Sequence, residues 1–345
     1  MSSSSHVGRP TRRLAATARV GASAAVLVLM AAGCRMLSTE SPGALVPPTA
    51  DQDRALPQLT VTVGGRARAL HLRRAGDPRN PPLFVIPGGP GADFRLLLPL
   101  TALADRYHVV LWDPRGAGLS ERVGVDELTI DAFDAEIAAV HAAVAPGRPV
   151  VLVGHSYGAL FAARYAARHP EAVTHLVLVE PGGFTGAARR ADRGGAVPFT
   201  AAEDFLWQNE VLTSSDHAAA DYKAVHLVAE ASRSYTCDGR RPPEDPMWRF
   251  GALHHHALTH SRHAPGASFD FAAGIDAFRG GILVVAGTCG AGGAEYQRAH
   301  NMAALPGARL ATVAGAGHVS LFVEYAGQTV DAIRGFLADP GAVRP

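Results

Sequence analysis

The sequence predicts an α/β protein: a mostly parallel sheet with helices on both faces, opened by an antiparallel hairpin and interrupted by a helical insertion. Three observations carry this reading. Short apolar runs bounded by turn residues recur along the chain, helix-like segments alternate with them, and one interval of about one hundred residues breaks the rhythm.

Gln58 to Val63 and Arg66 to Arg73 alternate apolar and polar residues around Gly64-Gly65, which is a hairpin signal. Leu83 to Ile86, His108 to Trp112, Pro149 to Val153, Leu176 to Val179, Ile282 to Ala286 and Ala308 to Val313 are continuous apolar runs, the pattern of strands covered on both faces. The strand total is eight. Asp131 to Val144, Leu160 to His169 and Tyr325 to Leu337 have helical character, so repeated βα units follow the hairpin and build an open sheet. The interval from Val179 to Ile282 is too long for a loop inside a compact domain. Residues 185–274 are therefore read as a mainly helical cap inserted over the strand tips, between core segments 58–184 and 275–345.

With 345 residues, 48% of them hydrophobic, the chain can bury a sizeable core. Thirty-two basic residues against 31 acidic give a net charge of +1, and the only run of like charge is the short Arg-rich start, so nothing suggests a nucleic-acid surface. The N-terminus differs from the rest. Arg9, Arg12, Arg13 and Arg19 precede a charge-free stretch from Val20 to Gly33 that ends in Ala31-Ala32-Gly33-Cys34, so residues 1–33 read as a signal peptide. The apolar run is shorter than the roughly 20 residues of a spanning helix. Small residues leading to a cysteine resemble a bacterial lipobox, and the expectation is an exported lipoprotein held to the lipid bilayer by acylated Cys34. An uncleaved anchor and ordinary secretion are the alternatives, and Arg12-Arg13 also admits twin-arginine export. All of them place the fold outside the cytoplasm. Residues 34–57, rich in Ser, Pro and Ala without apolar period, read as a tether. Cys237 and Cys289 then remain as an even pair where disulfides are permitted; a bridge and two buried thiols fit the sequence equally.

The chemistry concentrates in four segments. From Val150 to Ala167 a strand runs into Gly154-His155-Ser156-Tyr157-Gly158 and then into a helix of small residues, the context of a nucleophile elbow. Ser156 is the candidate nucleophile. After the last strand comes Ala314-Gly315-Ala316-Gly317-His318, which makes His318 the candidate general base. An oxyanion needs two backbone donors, and Pro87-Gly88-Gly89-Pro90-Gly91 offers Gly89 or Gly88 to act with the Tyr157 amide. Asp113 to Ser120, Asp-Pro-Arg-Gly-Ala-Gly-Leu-Ser, reads as structural support.

Spread from Pro87 to His318, these four motifs resemble the α/β-hydrolase superfamily. Within it they are most similar to the proline iminopeptidases and related exported aminopeptidases, where an HGGPG loop and a D-x-R-G-x-G-x-S segment occur together. The resemblance implies a serine hydrolase that cleaves a small acyl ester or a short peptide through an acyl-enzyme, with no cofactor. Two positions depart from the pattern: Pro87 replaces the usual loop histidine, and Gly290 stands where the acid commonly lies. The acid works through its position in space, so neighbouring strand tips can supply it. Glu180, at the end of the strand Leu176 to Val179, is the first candidate, similar to the arrangement of some lipases and haloalkane dehalogenases. Glu295 is the alternative. Gly290 also motivates a second reading, a non-catalytic surface lipoprotein that keeps the fold for binding.

In the cap, Glu203, Asp204 and Glu210 around Phe199, Phe205 and Trp207 resemble the acidic, aromatic caps with which aminopeptidases of this branch hold a substrate's amino terminus. An ordinary amphipathic helix explains them equally well. His254, His255, His256, His260 and His263 contain an i, i+4 pair but no carboxylate partner, so an exposed helix face is preferred to a metal site.

Overall fold

A computed structural model describes residues 46–192, 214–240 and 247–342. Eight strands form one sheet: β1 (Gln58–Val63), β2 (Arg66–Ala75), β3 (Pro82–Ile86), β4 (His108–Trp112), β5 (Val150–His155), β6 (Val173–Val179), β7 (Gly281–Gly287) and β8 (Arg309–Val313). Their order is β1-β2-β4-β3-β5-β6-β7-β8. β1 with β2 and β2 with β4 are antiparallel, and every later pair is parallel. β3, β4 and β7 are buried along their whole length, which is why their sequences are apolar without alternation.

The main helices are α1 (Ile130–Val144), α2 (Tyr157–Arg168), α3 (Ser214–Ala231), α4 (Ala252–Thr259) and α5 (Ala326–Ala338). Thr129 caps α1, its hydroxyl accepting from the Ala132 amide at 3.1 Å. α1 and α2 cover one face of the sheet, where Phe133 and Phe161 stack at 4.0 Å. Leu97, Leu100, Ile333 and Phe336, from Arg95–Asp105 and α5, cover the other. Arg95–Asp105 runs as 3₁₀ turns around Pro99, whose ring removes a donor from any α-helical ladder.

Chain order reverses between β3 and β5, since the next strand after β3 pairs on one side of it and β5 on the other. The carboxyl ends of these two strands open a crevice there. Gly88 follows β3 and Ser156 follows β5, so the topology itself brings the two motifs together.

Between β6 and β7 the described insertion contains a short helix (Gly186–Ala191), α3 and α4. Buried Arg249 donates to the Gly118 and Ser120 carbonyls and, at 2.8 Å, to Asp221 of α3. Asp221 also accepts from Arg122 and from the Ala252 amide. A carboxylate shared by two guanidiniums and an amide is fully compensated, and it ties the insertion to the Asp113–Ser120 loop.

Two expectations need correction. The tether does not run free to residue 57: Thr49 and Ala50 are buried, and the Ala50 amide donates to the Leu119 carbonyl at 2.7 Å. Small isolated residues filling a gap leave no periodic signal. The histidine-rich stretch is not an exposed face either, because His254, His255 and His256 are all buried on α4.

Candidate active site

The elbow is a steric construction. Ser156 adopts φ +55° and ψ −122°, a conformation that costs energy for any residue with a side chain. It is held because the Ser156 amide donates to the Val179 carbonyl at 3.0 Å, while β5 and α2 fix the residues on either side. A Cβ on Gly154 would lie 2.5 Å from Ala159 Cα, and one on Gly158 2.3 Å from the Ile86 and Pro87 carbonyl oxygens. The motif's glycines are therefore a packing requirement of strand, turn and helix.

The Pro87–Gly91 loop lies against this turn. A Cβ on Gly88 would sit 2.6 Å from Ser156 Cβ and 2.7 Å from the His155 carbonyl oxygen. Gly89 and Gly91 take φ of +107° and +101°. Insertion residues hold the loop from outside: the Gly251 amide donates to the Gly91 carbonyl at 2.7 Å, and His255 Nδ1 to the Pro90 carbonyl at 2.8 Å. Burial pushes His255 down to about 4 and His254 to about 3, so both are neutral imidazoles at pH 7. The Tyr157 amide opens α2 and has no acceptor inside its own helix. Gly88, Gly89 and Ser156 line one pocket.

His318 lines the same pocket, and it is oriented from several directions. Its Nδ1 lies 2.7 Å from Glu180 Oε2. Glu180 is buried, its other oxygen accepts from the Gly287 amide at 2.8 Å, and its own amide donates to the Val285 carbonyl. Like Ser156 it has a positive φ, +40°. An ionised carboxylate here places the imidazole proton on Nδ1 and leaves Nε2 as acceptor. Glu295 stands exposed in the single turn Ala294–Tyr296 and makes no hydrogen bond to His318 among the described residues. Gly290 has φ +80°, and a Cβ there would lie 2.4 Å from the Tyr235 backbone.

The Asp113–Ser120 segment supports this assembly from below. Asp113 accepts from the Phe94 and Leu119 amides and from His71 Nδ1, while Arg115 Nε donates to buried Glu136 at 2.9 Å.

A model of the alpha/beta hydrolase fold matches residues 81–325. The chain belongs to that family. A proline iminopeptidase of Xylella fastidiosa is 34% identical over 110 residues, 32% of this chain and 35% of that protein. A probable 1-acylglycerol-3-phosphate O-acyltransferase of Oryza sativa is 35% identical over 115 residues, 31% of this chain and 27% of that protein. The chain thus spans about a third of the length of these curated relatives. Among solved structures, a proline iminopeptidase of Mycobacterium smegmatis superposes with a TM-score of 0.56 at 20% identity, covering 82% of this chain and all of that one. A bacterial membrane phospholipase A covers 95% of this chain and 99% of its own, with a TM-score of 0.52 at 19% identity. These two structural likenesses establish the fold.

Around the motifs, this α/β-hydrolase-fold chain has residues that the sequence did not single out. The Tyr235 ring stacks on His318 with centroids 4.6 Å apart, and His155 touches the same imidazole at 4.4 Å. Burial holds His155 well below the usual histidine range. Leu96, Leu97, Val228, Met247, Phe250 and Val319 make most of the remaining pocket wall. Asp93 is the one acidic residue among the described lining residues. Its oxygens accept the Arg95, Trp248 and Arg249 amides at 3.0, 2.6 and 3.1 Å. Burial, and then Asp113, push it well above the usual carboxylate range. Asp93 thus joins core to insertion. Tyr235 and Val228 belong to an insertion without motif spacing. Cys237 is bonded to Cys289. Cys34, Glu203, Asp204, Glu210, Phe199, Phe205 and Trp207 lie outside the described residues.

Proposed function

We propose that the chain is a serine hydrolase in which Ser156 is the nucleophile, His318 the general base and Glu180 the acid that orients it. The observation that carries this reading is the 2.7 Å contact of His318 Nδ1 with buried Glu180, in a histidine that shares a pocket with Ser156. Ser156 Oγ attacks the substrate carbonyl while His318 Nε2 takes its proton, and the imidazolium then protonates the leaving alcohol or amine. The developing oxyanion is received by the amides of Tyr157 and Gly89, with Gly88 the alternative donor on the loop side. Water, deprotonated by the same imidazole, releases the acid and restores Ser156. No cofactor enters any step.

The substrate class is a small acyl ester. Apolar side chains dominate the described pocket wall, and its one carboxylate is already engaged by three amides, so neither feature invites an ammonium group. The competing reading is a proline iminopeptidase-like aminopeptidase, favoured by the local identity to such enzymes. The Arg-rich start and the Ala-Ala-Gly-Cys sequence support export as a lipoprotein with its lipid on Cys34.

Labelling with a fluorophosphonate, followed by a panel of p-nitrophenyl esters and aminoacyl arylamides, tests both levels. The wild type should label and hydrolyse short acyl esters, and Ser156→Ala should abolish both. Absence of label on the intact protein returns the non-catalytic binding reading. Turnover of prolyl arylamide above every ester overturns the substrate class.

A further inference from the structure

We propose that the segment Ser234–Cys237, fastened by the Cys237–Cys289 disulfide, is a strap that holds the base in place, with Tyr235 as the positioning residue for His318. The inference rests on His318 acting as the base of the reaction proposed above.

The strap meets the catalytic edge of the core through Ser234, Tyr235 and Cys237. The Ala291 amide donates to the Ser234 carbonyl at 2.9 Å and the His318 amide to the Tyr235 carbonyl at 3.2 Å. The Tyr235 ring lies on the imidazole at an angle of 23°, and Cys237 closes the covalent link to the loop after β7. Both loops that receive the strap are shaped for it. A Cβ on Gly317 would lie 2.2 Å from the Tyr235 oxygen, and one on Gly290 2.4 Å from the Tyr235 carbonyl carbon and oxygen. Glycine at these two positions is what allows the strap to lie this close.

This packing also accounts for where the acid sits. The strap fills the space beside residue 290, so no side chain can occupy that position. The carboxylate reaches His318 from the neighbouring strand tip instead, through Glu180. Strap, glycine at 290 and glutamate at 180 are then one arrangement: the insertion occupies the space beside residue 290, and the adjacent strand supplies the contact to His318.

Cys237 is exposed, so a small dithiol can reach the bond. The exchange transfers two electrons: the dithiol closes to its own disulfide and each protein sulfur leaves as a thiol carrying one proton. After reduction the strap keeps its two backbone hydrogen bonds and the stacking, but loses its covalent end. His318 should then sample a wider range of orientations within the pocket it shares with Ser156.

The test uses the oxidised wild-type protein, Tyr235→Ala, Tyr235→Phe and the double variant Cys237→Ser/Cys289→Ser. Tyr235→Ala should lower kcat on the best ester at least tenfold with KM changed less than about threefold, as misplacement of a catalytic group costs turnover more than binding. Tyr235→Phe, which keeps the ring, should recover to within about threefold of wild type on the same grounds. Dithiol treatment should lower wild-type kcat to the level of the double variant and leave the double variant unchanged. Retention of full kcat by Tyr235→Ala, or a loss confined to KM, overturns the proposal; so does a double variant as active as wild type. Should Tyr235→Ala fail to fold, the dithiol arm on folded wild type decides alone. A wild type that takes no fluorophosphonate refutes the hydrolase reading. The strap is then read separately, as a reduction-induced shift of the His318 imidazole signal in Ser156→Ala by nuclear magnetic resonance, and no shift refutes it.

Discussion

The two halves of the candidate site are built in opposite ways. The nucleophile half is nearly continuous in sequence: Val150–His155, Ser156 and Tyr157–Arg168 form strand, turn and helix, and the loop after β3 leans on them. The base half is assembled from distant pieces. Glu180 and His318 are 138 residues apart, and Tyr235 comes from an insertion between their strands. Local geometry forced by glycines specifies the first half, whereas the second depends on three separate chain segments arriving together.

The sharpest attack on this contrast is at Glu180. Glu180→Gln keeps the shape but loses the charge that fixes the tautomer and stabilises the imidazolium, so kcat should fall about 10³- to 10⁴-fold while the thermal midpoint stays close to wild type. Glu295→Gln, exposed and away from His318, should leave kcat within about twofold. If Glu295→Gln alone impairs turnover, the base half is organised around the wrong carboxylate here.

A single added methyl tests the nucleophile half. Gly88→Ala would place a Cβ 2.6 Å from Ser156 Cβ, so loop and elbow must separate by several tenths of an ångström or more. Displacing an oxyanion donor costs about 10² to 10³ in kcat. Gly327→Ala, whose Cβ would meet nothing within 4 Å, is the control expected to match wild type. A Gly88→Ala enzyme with normal kcat would remove the loop from the oxyanion role.

This division also explains how legible each part was. The eight strands could be read because buried parallel strands are apolar throughout and turn residues punctuate them. Gly154, Ser156, Gly158, Gly88 and His318 could be read because close backbone approach and strained turns admit few residue types. Tyr235 could not be read, since an aromatic in a helical insertion has no distinguishing spacing and its role exists only through the fold. Packing of Thr49 and Ala50 was equally hidden, because single small residues filling a gap carry no period. The histidines of α4 misled for a related reason: composition suggests a wet polar face, yet His254 and His255 each satisfy one ring nitrogen on a core carbonyl, of Arg115 and Pro90.

Those histidines supply the mildest test, since they set neutral imidazoles on the Pro90 and Arg115 carbonyls against the carboxylate-paired imidazole of the base half. With folded values of about 3 and 4 against 6.5 for an unfolded chain, His254 and His255 refuse protons that the unfolded protein accepts. The unfolded state therefore binds more protons between about pH 4 and 6.5, and stability falls as pH falls through that window. At pH 5 the loss is about 2 kcal/mol for each residue. Urea unfolding at pH 7 and pH 5 measures the total, and His254→Gln should remove its share of the pH dependence whatever it does to stability at pH 7. Both arms matter, because a loss of stability common to every pH leaves the slope reporting titration alone. A slope unchanged by His254→Gln would mean that this imidazole takes its proton in the folded state, beside the Arg115 carbonyl.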